Sequence, residues 1–359
     1  MKTIRDPVHG DIELSEVERA VVDSEEMQRL RRVKQLSFCS LVYPGANHTR
    51  FEHSLGTMHM AGRMAGKLGI EAEPLRLAGL VHDIGHFPFS HSLEGAFGVN
   101  HEDNLSIVLK GPVGDALQDG GFDPKRILRL AHGEGEGKII SSQIDADRID
   151  YLLRDSHYTG VAYGVIDVDR ILNVIGFDGK EIYFNKKGII ALEALLIGRN
   201  QMYEAVYFHH AVRVADAMLQ EAARQVRDKI KITELLKMGD EEFKVFARAQ
   251  SPVAKELLDL LDKRRLYKVA CMYSAKAECS TSELAKKAGL KPWQVLVNTV
   301  AFNRFAFSIM VRDETGLKRI TEVSKTAKSL EEEIHRMEES LVCVPEECKE
   351  KVSRLCKEL

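Results

Sequence analysis

At 359 residues the chain can bury a large core, in one large domain or two unequal ones. A formal net charge of -3 with 29% charged residues fits a globular protein and gives no global sign of nucleic-acid binding. No apolar run reaches the ~18 residues of a membrane span. Residues 1–10 resemble neither a signal peptide nor a transit segment, so a cytoplasmic protein without membrane contact is expected.

Helical periodicity dominates the first half. Val17 to Val33, Leu55 to Leu68, Leu75 to Ile84, Asn104 to Leu109, Arg126 to His132 and Ile144 to Arg154 read as helices, and Ile4 to Leu14 reads as a short extended piece. Near Asn173 the pattern changes. Val174-Ile175-Gly176-Phe177, the pair Asp178-Gly179 and Lys180-Glu181-Ile182-Tyr183-Phe184 predict a hairpin over about 173–185 with a tight turn. Helix resumes at Ile189 and runs, with interruptions, past Val226. From about Ile230 the sequence becomes more charged, with blocks such as Glu331-Glu332-Glu333, and predicts a solvated helical layer or an oligomerisation element. A soft boundary near residue 225 therefore separates residues 1–225 from a helical region over 226–359, in a mainly α fold.

The six cysteines include no CxxC pair and read as reduced thiols. Ser282 to Val295 has the spacing of a helix-turn-helix, but its flanks are not strongly basic, so the reading preferred is ordinary helix packing rather than DNA binding.

Of 13 histidines only His209, His210 and His335 lie beyond residue 160, which places the chemistry in the amino-terminal half. Three histidines and an aspartate fall within His82-Asp83-Ile84-Gly85-His86-Phe87-Pro88-Phe89-Ser90-His91, after the apolar run Leu75 to Val81. Imidazole with carboxylate suits a catalytic divalent metal better than a structural zinc, which usually recruits cysteines. His82 and Asp83 can both reach one ion if the helix ends there, with Gly85 and Pro88 as plausible terminators. Two other segments offer partners. Arg50-Phe51-Glu52-His53-Ser54-Leu55-Gly56 puts a histidine near a helix start beside an arginine suited to phosphate. Asp145, Asp147 and Asp150 stand at i, i+2 and i+5, so at helical pitch they cannot all face one site: one ligates while the others cap or pair. His9, His48, His59, His132 and His157 have no spacing that compels a role and read as satisfied histidines.

The set His53, His82-Asp83 and Asp147 resembles the H…HD…D signature of the HD-domain metal-dependent phosphohydrolases. Further blocks, Asp6-Pro7-Val8-His9-Gly10, Gln28-Arg29-Leu30-Arg31, Lys34-Gln35-Leu36, Tyr43-Pro44-Gly45-Ala46 and Arg50 to Gly56, resemble the deoxynucleoside triphosphate triphosphohydrolase branch. The resemblance implies that His53, His82, Asp83 and Asp147 hold a divalent ion, whether Mn, Mg, Fe, Ni or Zn. It implies that His91 protonates the leaving oxygen with support from Glu102, and that His86 and His101 line the phosphate channel. Arg50, Arg148 and Arg199 match triphosphate contacts, although the family has lysine where Arg148 stands. Tyr151, Asp155 and Tyr207 match contacts to deoxyribose, and Gln35 and Leu36 lie where a 2′-hydroxyl is disfavoured. The implied reaction is attack of metal-activated water on the α-phosphorus, releasing deoxynucleoside and tripolyphosphate.

Lys2, Asp23, Gln28, Arg31 and Arg264 match positions that bind a guanine-nucleotide activator in the vertebrate members, between subunits of an oligomer; His210 replaces a lysine there. The alternative is a solvated amphipathic helix with self-paired charges. For the whole chain the alternatives are an HD phosphohydrolase acting on another nucleotide, and a nucleotide- or nucleic-acid-binding protein with little turnover.

Overall fold

The computed structural model describes residues 2–274, 280–300, 307–334 and 339–357. Helices dominate it. The amino terminus forms a hairpin of β1 (Lys2–Asp6) and β2 (Gly10–Leu14), antiparallel from Lys2↔Leu14 to Asp6↔Gly10. The run predicted as one helix from Val17 to Val33 is divided into Glu16–Val22, Glu25–Arg29 and a 3-10 turn Leu30–Arg32. Ser24 is the reason for the break: its hydroxyl caps the second helix by accepting from the Met27 N–H.

The centre is helix Arg50–Leu68, which begins five residues earlier than its apolar periodicity suggests. Its start is set by Glu52, which accepts from the Thr49 N–H at 2.6 Å and the Thr49 hydroxyl at 3.0 Å. Phe51, Leu55, Met58 and Met64 are buried against Leu75, Leu77, Leu80 and Val81 of helix Ala72–Val81, and helix Ala146–Thr159 packs on the same central helix. Each such side chain contributes about 1.5–3 kcal/mol of burial. The hairpin expected near 173–185 is present as β3 (Ile175–Phe177) and β4 (Ile182–Asn185), but Val174 belongs to helix Val168–Val174 and the loop is four residues, Asp178 to Glu181. Asp178 organises that loop by accepting from the N–H groups of Lys180 and Glu181.

Helices Ile189–Met202, His210–Arg224, Asp240–Gln250 and Pro252–Asp262 follow. Beyond them the purely helical carboxyl region is corrected to a mixed one. Strand β5 (Lys268–Ser274), β6 (Leu296–Val300) and β9 (Glu339–Val344) form an antiparallel sheet in the order β5-β9-β6. β7 (Met310–Asp313) and β8 (Gly316–Arg319) extend the first hairpin into the order β3-β4-β7-β8. The central β9 is buried at Leu341, Val342, Cys343 and Val344, a continuous apolar run too short to read by alternation. The suggested helix-turn-helix is not formed: helix Thr281–Ala288 ends at Gly289 (φ 67°), and Pro292–Gln294 then leads directly into β6. The thiols are also corrected. Cys271 of β5 and Cys356 of the final helix, Lys349–Cys356, form a disulfide, with Cα atoms 6.4 Å apart, whereas Cys39, Cys343 and Cys348 are free. Cys279 and His335 lie outside the described residues. Among the described residues no helix is long and apolar enough to cross a membrane.

Asp240 is a buried carboxylate at the start of helix Asp240–Gln250, accepting from the Phe89 N–H at 2.6 Å and the Lys34 N–H at 3.0 Å. Burial pushes it up to about 6 against the pull of those two donors. Because the folded-state value is raised, the group stabilises the fold below its unfolded value, and that contribution is lost as pH rises through about 6. Asp240→Asn is therefore expected to gain on the order of 3 kcal/mol relative to the parent between pH 4 and pH 7. Denaturant titrations at several pH values measure this, and a pH-independent difference contradicts it.

Candidate metal centre and nucleotide cleft

Helix Ala72–Val81 ends at His82, so His82 and Asp83 leave the helix together at the base of a cleft of about 570 Å³. Gly85 acts as more than a terminator: a Cβ there would strike the His101 carbonyl, so glycine lets helix His101–Val108 approach the motif. His53, one turn into the central helix, reaches the same point from behind. Its Nε2 lies 3.0 Å from Asp147 Oδ1 and 3.5 Å from Asp83 Oδ2; His82 Nε2 lies 3.3 Å from Asp83 Oδ1 and 3.8 Å from Asp147 Oδ1. Both Nε2 atoms are buried without a well-formed hydrogen bond, and the donor atoms of His53, His82 and Asp147 all lie within 4.8 Å of one another. Two imidazoles and the Asp147 carboxylate converge with their Nε2 atoms otherwise unsatisfied, and Asp83, which pairs with Arg50, flanks them; the set fits a divalent cation.

The opposite edges of both imidazoles are fixed. His53 Nδ1 meets Asp150 at 2.7 Å, and His82 Nδ1 meets the Gly79 carbonyl at 2.8 Å, so each ring is oriented with Nε2 toward the centre. The three acids of the Asp145–Asp150 stretch divide their work as helical pitch requires. Asp145 caps helix Ala146–Thr159 through the N–H of Arg148, Asp147 faces the histidines, and Asp150 turns inward to Arg154, His53 and His9. His9 and His48, which no spacing singled out, buttress the site: His9 pairs with Asp150 at 2.6 Å and His48 Nε2 with Asp155 at 2.7 Å, while His48 Nδ1 is buried without a hydrogen-bond partner.

The cleft is lined by Gln35, Leu36, Arg50, His82, Asp83, His86, His91, His101, Glu102, Asp147, Arg148, Tyr151, Asp155, Arg199 and Tyr207, so nearly every residue singled out from sequence meets in one place. His53 lies just behind this wall. Arg50 pairs with Asp83 and Arg148 with Asp145. Asp155 joins the Tyr207 hydroxyl at 2.7 Å. His86 stacks on His101 with centroids 3.9 Å apart, and burial together with Arg50 and His101 holds its imidazole well below the usual range, hence neutral.

The carboxylate beside His91 is Glu94 rather than Glu102. Glu94 lies 3.2 Å from His91 Nδ1 and 2.8 Å from His101 Nδ1, whereas Glu102 is exposed on the cleft rim. Burial alone would raise Glu94, but His101 and His91 hold its carboxyl at about 2. Its position three residues after His91 is a helical spacing that could have signalled the contact. Ser37, Ser90, Ser92, Tyr203 and Asp216 also line the cleft and carried no sequence signal.

The remaining group is dispersed into local pairs. Lys2 lies 3.6 Å from Asp23; Gln28 donates to the Val22 carbonyl and accepts from Arg31, which stacks 3.6 Å over Phe51; Arg264 donates to the Leu41 carbonyl. His209 and His210 stack on each other at 4.5 Å.

Gly56 stands where a Cβ would collide with the Asp150 carboxylate and the Arg154 guanidinium. Gly56→Ala is expected to destabilise the fold by about 1–3 kcal/mol. By displacing the partner of His53 it should also weaken metal affinity about tenfold or more. Denaturation and metal content after dialysis measure the two effects, and full metal retention would separate Asp150 from the ion.

The HD domain family model matches residues 50–155, and the HD associated region matches residues 166–359. An uncharacterized protein of Methanocaldococcus jannaschii is 38% identical over 391 residues, covering 100% of this chain and 84% of its own length. The deoxynucleoside triphosphate triphosphohydrolase SAMHD1 homolog of Dictyostelium discoideum is 29% identical over 306 residues, covering 74% of this chain; the chain spans only 59% of that protein. Among solved structures, a hypothetical protein from Aquifex aeolicus superposes with a TM-score of 0.83 at 30% identity, covering 98% of this chain and 99% of that one. A phosphohydrolase from Bacteroides thetaiotaomicron superposes with a TM-score of 0.81 at 25% identity, covering 96% of this chain and 100% of that one. With candidate metal donors converging in the matched HD segment and the associated region matching residues 166–359, the chain belongs to the HD-domain phosphohydrolase family.

Proposed function

We propose that the chain hydrolyses deoxynucleoside triphosphates to deoxynucleosides and tripolyphosphate. The observation that carries this reading is the content of one cleft, which gathers the metal donors, the three cations Arg50, Arg148 and Arg199, and the Asp155–Tyr207 pair. Similarity to the SAMHD1 homolog, whose name states a deoxynucleoside triphosphate triphosphohydrolase, supports the substrate class.

His53, His82, Asp83 and Asp147 would hold the ion, with Asp150 and the Gly79 carbonyl fixing the two rings. A divalent cation there supplies Lewis acidity and makes water nucleophilic near neutral pH. The arginines bind the phosphates by charge-assisted hydrogen bonds and neutralise charge as it develops. Neutral His86, stacked on His101, lines the phosphate path without adding a competing charge. Asp155 and Tyr207 accept and donate hydrogen bonds at the sugar, Tyr151 packs its face, and Gln35 with Leu36 closes the edge where a 2′-hydroxyl would lie. Water oxygen bonds to the α-phosphorus, the bond from that phosphorus to the 5′-oxygen breaks, and His91 delivers the proton that the leaving oxygen needs. Glu94 orients His91 for this transfer, and Glu102 lies on the cleft rim.

Incubation of the purified chain with each dNTP and Mn²⁺ or Mg²⁺, with and without GTP, tests the reading. Tripolyphosphate is the expected product, and a GTP requirement would assign an activator role to the Lys2, Asp23, Gln28, Arg31 and Arg264 group. Orthophosphate or pyrophosphate release, or turnover of monophosphates only, redirects the chain to another phosphohydrolase reaction; saturable binding without product makes it a nucleotide-binding protein. His82→Ala should lose both bound metal and turnover. His91→Ala should retain the metal and lose about 100-fold or more in kcat; unchanged turnover removes it as the acid.

A further inference from the structure

We propose that Asp216 and Asp240 are positioning residues that tie the loop carrying His91 to the segment carrying Gln35 and Leu36, so that proton delivery and exclusion of the 2′-hydroxyl depend on one shared brace. The two segments, residues 87–92 and 34–37, meet at three points. At one end Asp240 receives the Phe89 N–H at 2.6 Å with one oxygen and the Lys34 N–H at 3.0 Å with the other. In the middle Ser90 donates to the Lys34 carbonyl at 2.8 Å while receiving Arg50 Nε at 2.9 Å. At the other end Asp216 Oδ1 lies 2.8 Å from the Ser92 hydroxyl and 3.2 Å from the Ser37 hydroxyl, as acceptor of both.

Both carboxylates come from helices downstream of the matched HD segment, His210–Arg224 and Asp240–Gln250, and neither touches a metal donor. Each receives two donors, one from each segment; Asp240 uses both of its oxygens, which an amide cannot match because its nitrogen would face one of the N–H groups, whereas Asp216 accepts both hydroxyls on Oδ1. Phe243, three residues past Asp240 on the same helix, adds an edge-on ring contact to Phe89, and Phe38 stacks on the same ring at 5.2 Å.

Backbone conformation shows why a brace is needed. The described residues include four non-glycine positions with positive φ, and three of them are Ser37 (44°), Phe89 (57°) and Ser90 (54°). Such conformations persist only where the surroundings over-determine them. Here they turn Ser90 toward Arg50 and lead directly into His91 on one side, and follow Leu36 on the other. Releasing either carboxylate lets both segments relax toward ordinary backbone geometry, which displaces the proton donor and the sugar edge together. The inference rests on the phosphohydrolase reading for its catalytic consequence, but the brace itself does not.

Asp240→Asn, Asp216→Ala and Ser37→Ala, made in the full chain, provide the test, with hydrogen exchange over residues 33–38 and 86–93 read beside steady-state kinetics on matched dNTP and rNTP pairs. Expected are exchange about tenfold faster in both segments with helix Ala72–Val81 unchanged, undiminished metal content, a kcat lower by about tenfold, and a narrowed dNTP-to-rNTP preference. Ser37→Ala, which removes one donor and no buried charge, should show the smaller version of the same pattern and serves if either aspartate variant fails to fold. Parental exchange in both segments overturns the brace. Faster exchange with parental kcat and parental preference overturns its role in catalysis. If the parent turns over no dNTP, that substrate reading falls, while the exchange measurement still decides whether the brace exists.

Discussion

The buried carboxylate of Asp150 meets His53 Nδ1 at 2.7 Å, His9 Nε2 at 2.6 Å, and Nε and Nη2 of Arg154 each at 2.9 Å. Burial alone would favour its neutral form; the Arg154 guanidinium, then His53 and His9, hold it ionised. Arg154 is itself buried and reaches onward to Asp6 at 2.7 Å, which ties the amino-terminal hairpin to the same helix. A buried pair of this kind adds little net stability, yet removing one member strands the other and costs about 3–5 kcal/mol. The geometry of the metal site and the docking of the hairpin therefore share one charge balance. Gly56 leaves the space in which it forms.

Much of the site was legible because its chemistry confines it to particular residue types. Imidazole and carboxylate at a helix end point to a metal, and the spacing of Asp145, Asp147 and Asp150 on one helix forces them apart. What sequence could not deliver were contacts made by residues whose types are common everywhere. Glu94 differs from Glu102 only in where the chain places it, and Asp216 and Asp240 sit in helices that read as ordinary amphipathic packing. The fold shows the same division. Long periodic helices were located within a few residues, while helix ends moved to wherever a cap stood, as at Glu52 and Ser24. The downstream strands were missed because β9 is buried on both faces, and an apolar run of that length carries neither period.

The associated region is a structural participant in the cleft, because the hydrophobic core runs without interruption from Ile12 through the HD helices to Leu296, Ile320 and Cys343. A second, smaller core joins Leu284, Ala288, Val295, Val342, Val344 and Val352. Between them, Arg213 of helix His210–Arg224 holds Glu339 at 2.6 Å and the Asn298 side chain at 3.1 Å, linking the three-stranded sheet to a helix that also lines the cleft. Thus the sheet is anchored to the same helix that carries Asp216.

Helix Ile189–Met202 passes into a π-helical turn at Tyr203–Tyr207, where the Phe208 N–H reaches back to the Tyr203 carbonyl at 2.8 Å. In a regular α-helix, residues four apart drift around the axis by about 40°, because a turn holds about 3.6 residues. Arg199, Tyr203 and Tyr207 are spaced by fours, yet all three line the cleft. The wider turn offsets part of that drift over its second half, which keeps Tyr207 on the cleft side with the other two. Deleting one residue from that turn would convert the Tyr203-to-Phe208 hydrogen bond into an ordinary α-helical one and shorten the spacing of the two tyrosines from four residues to three.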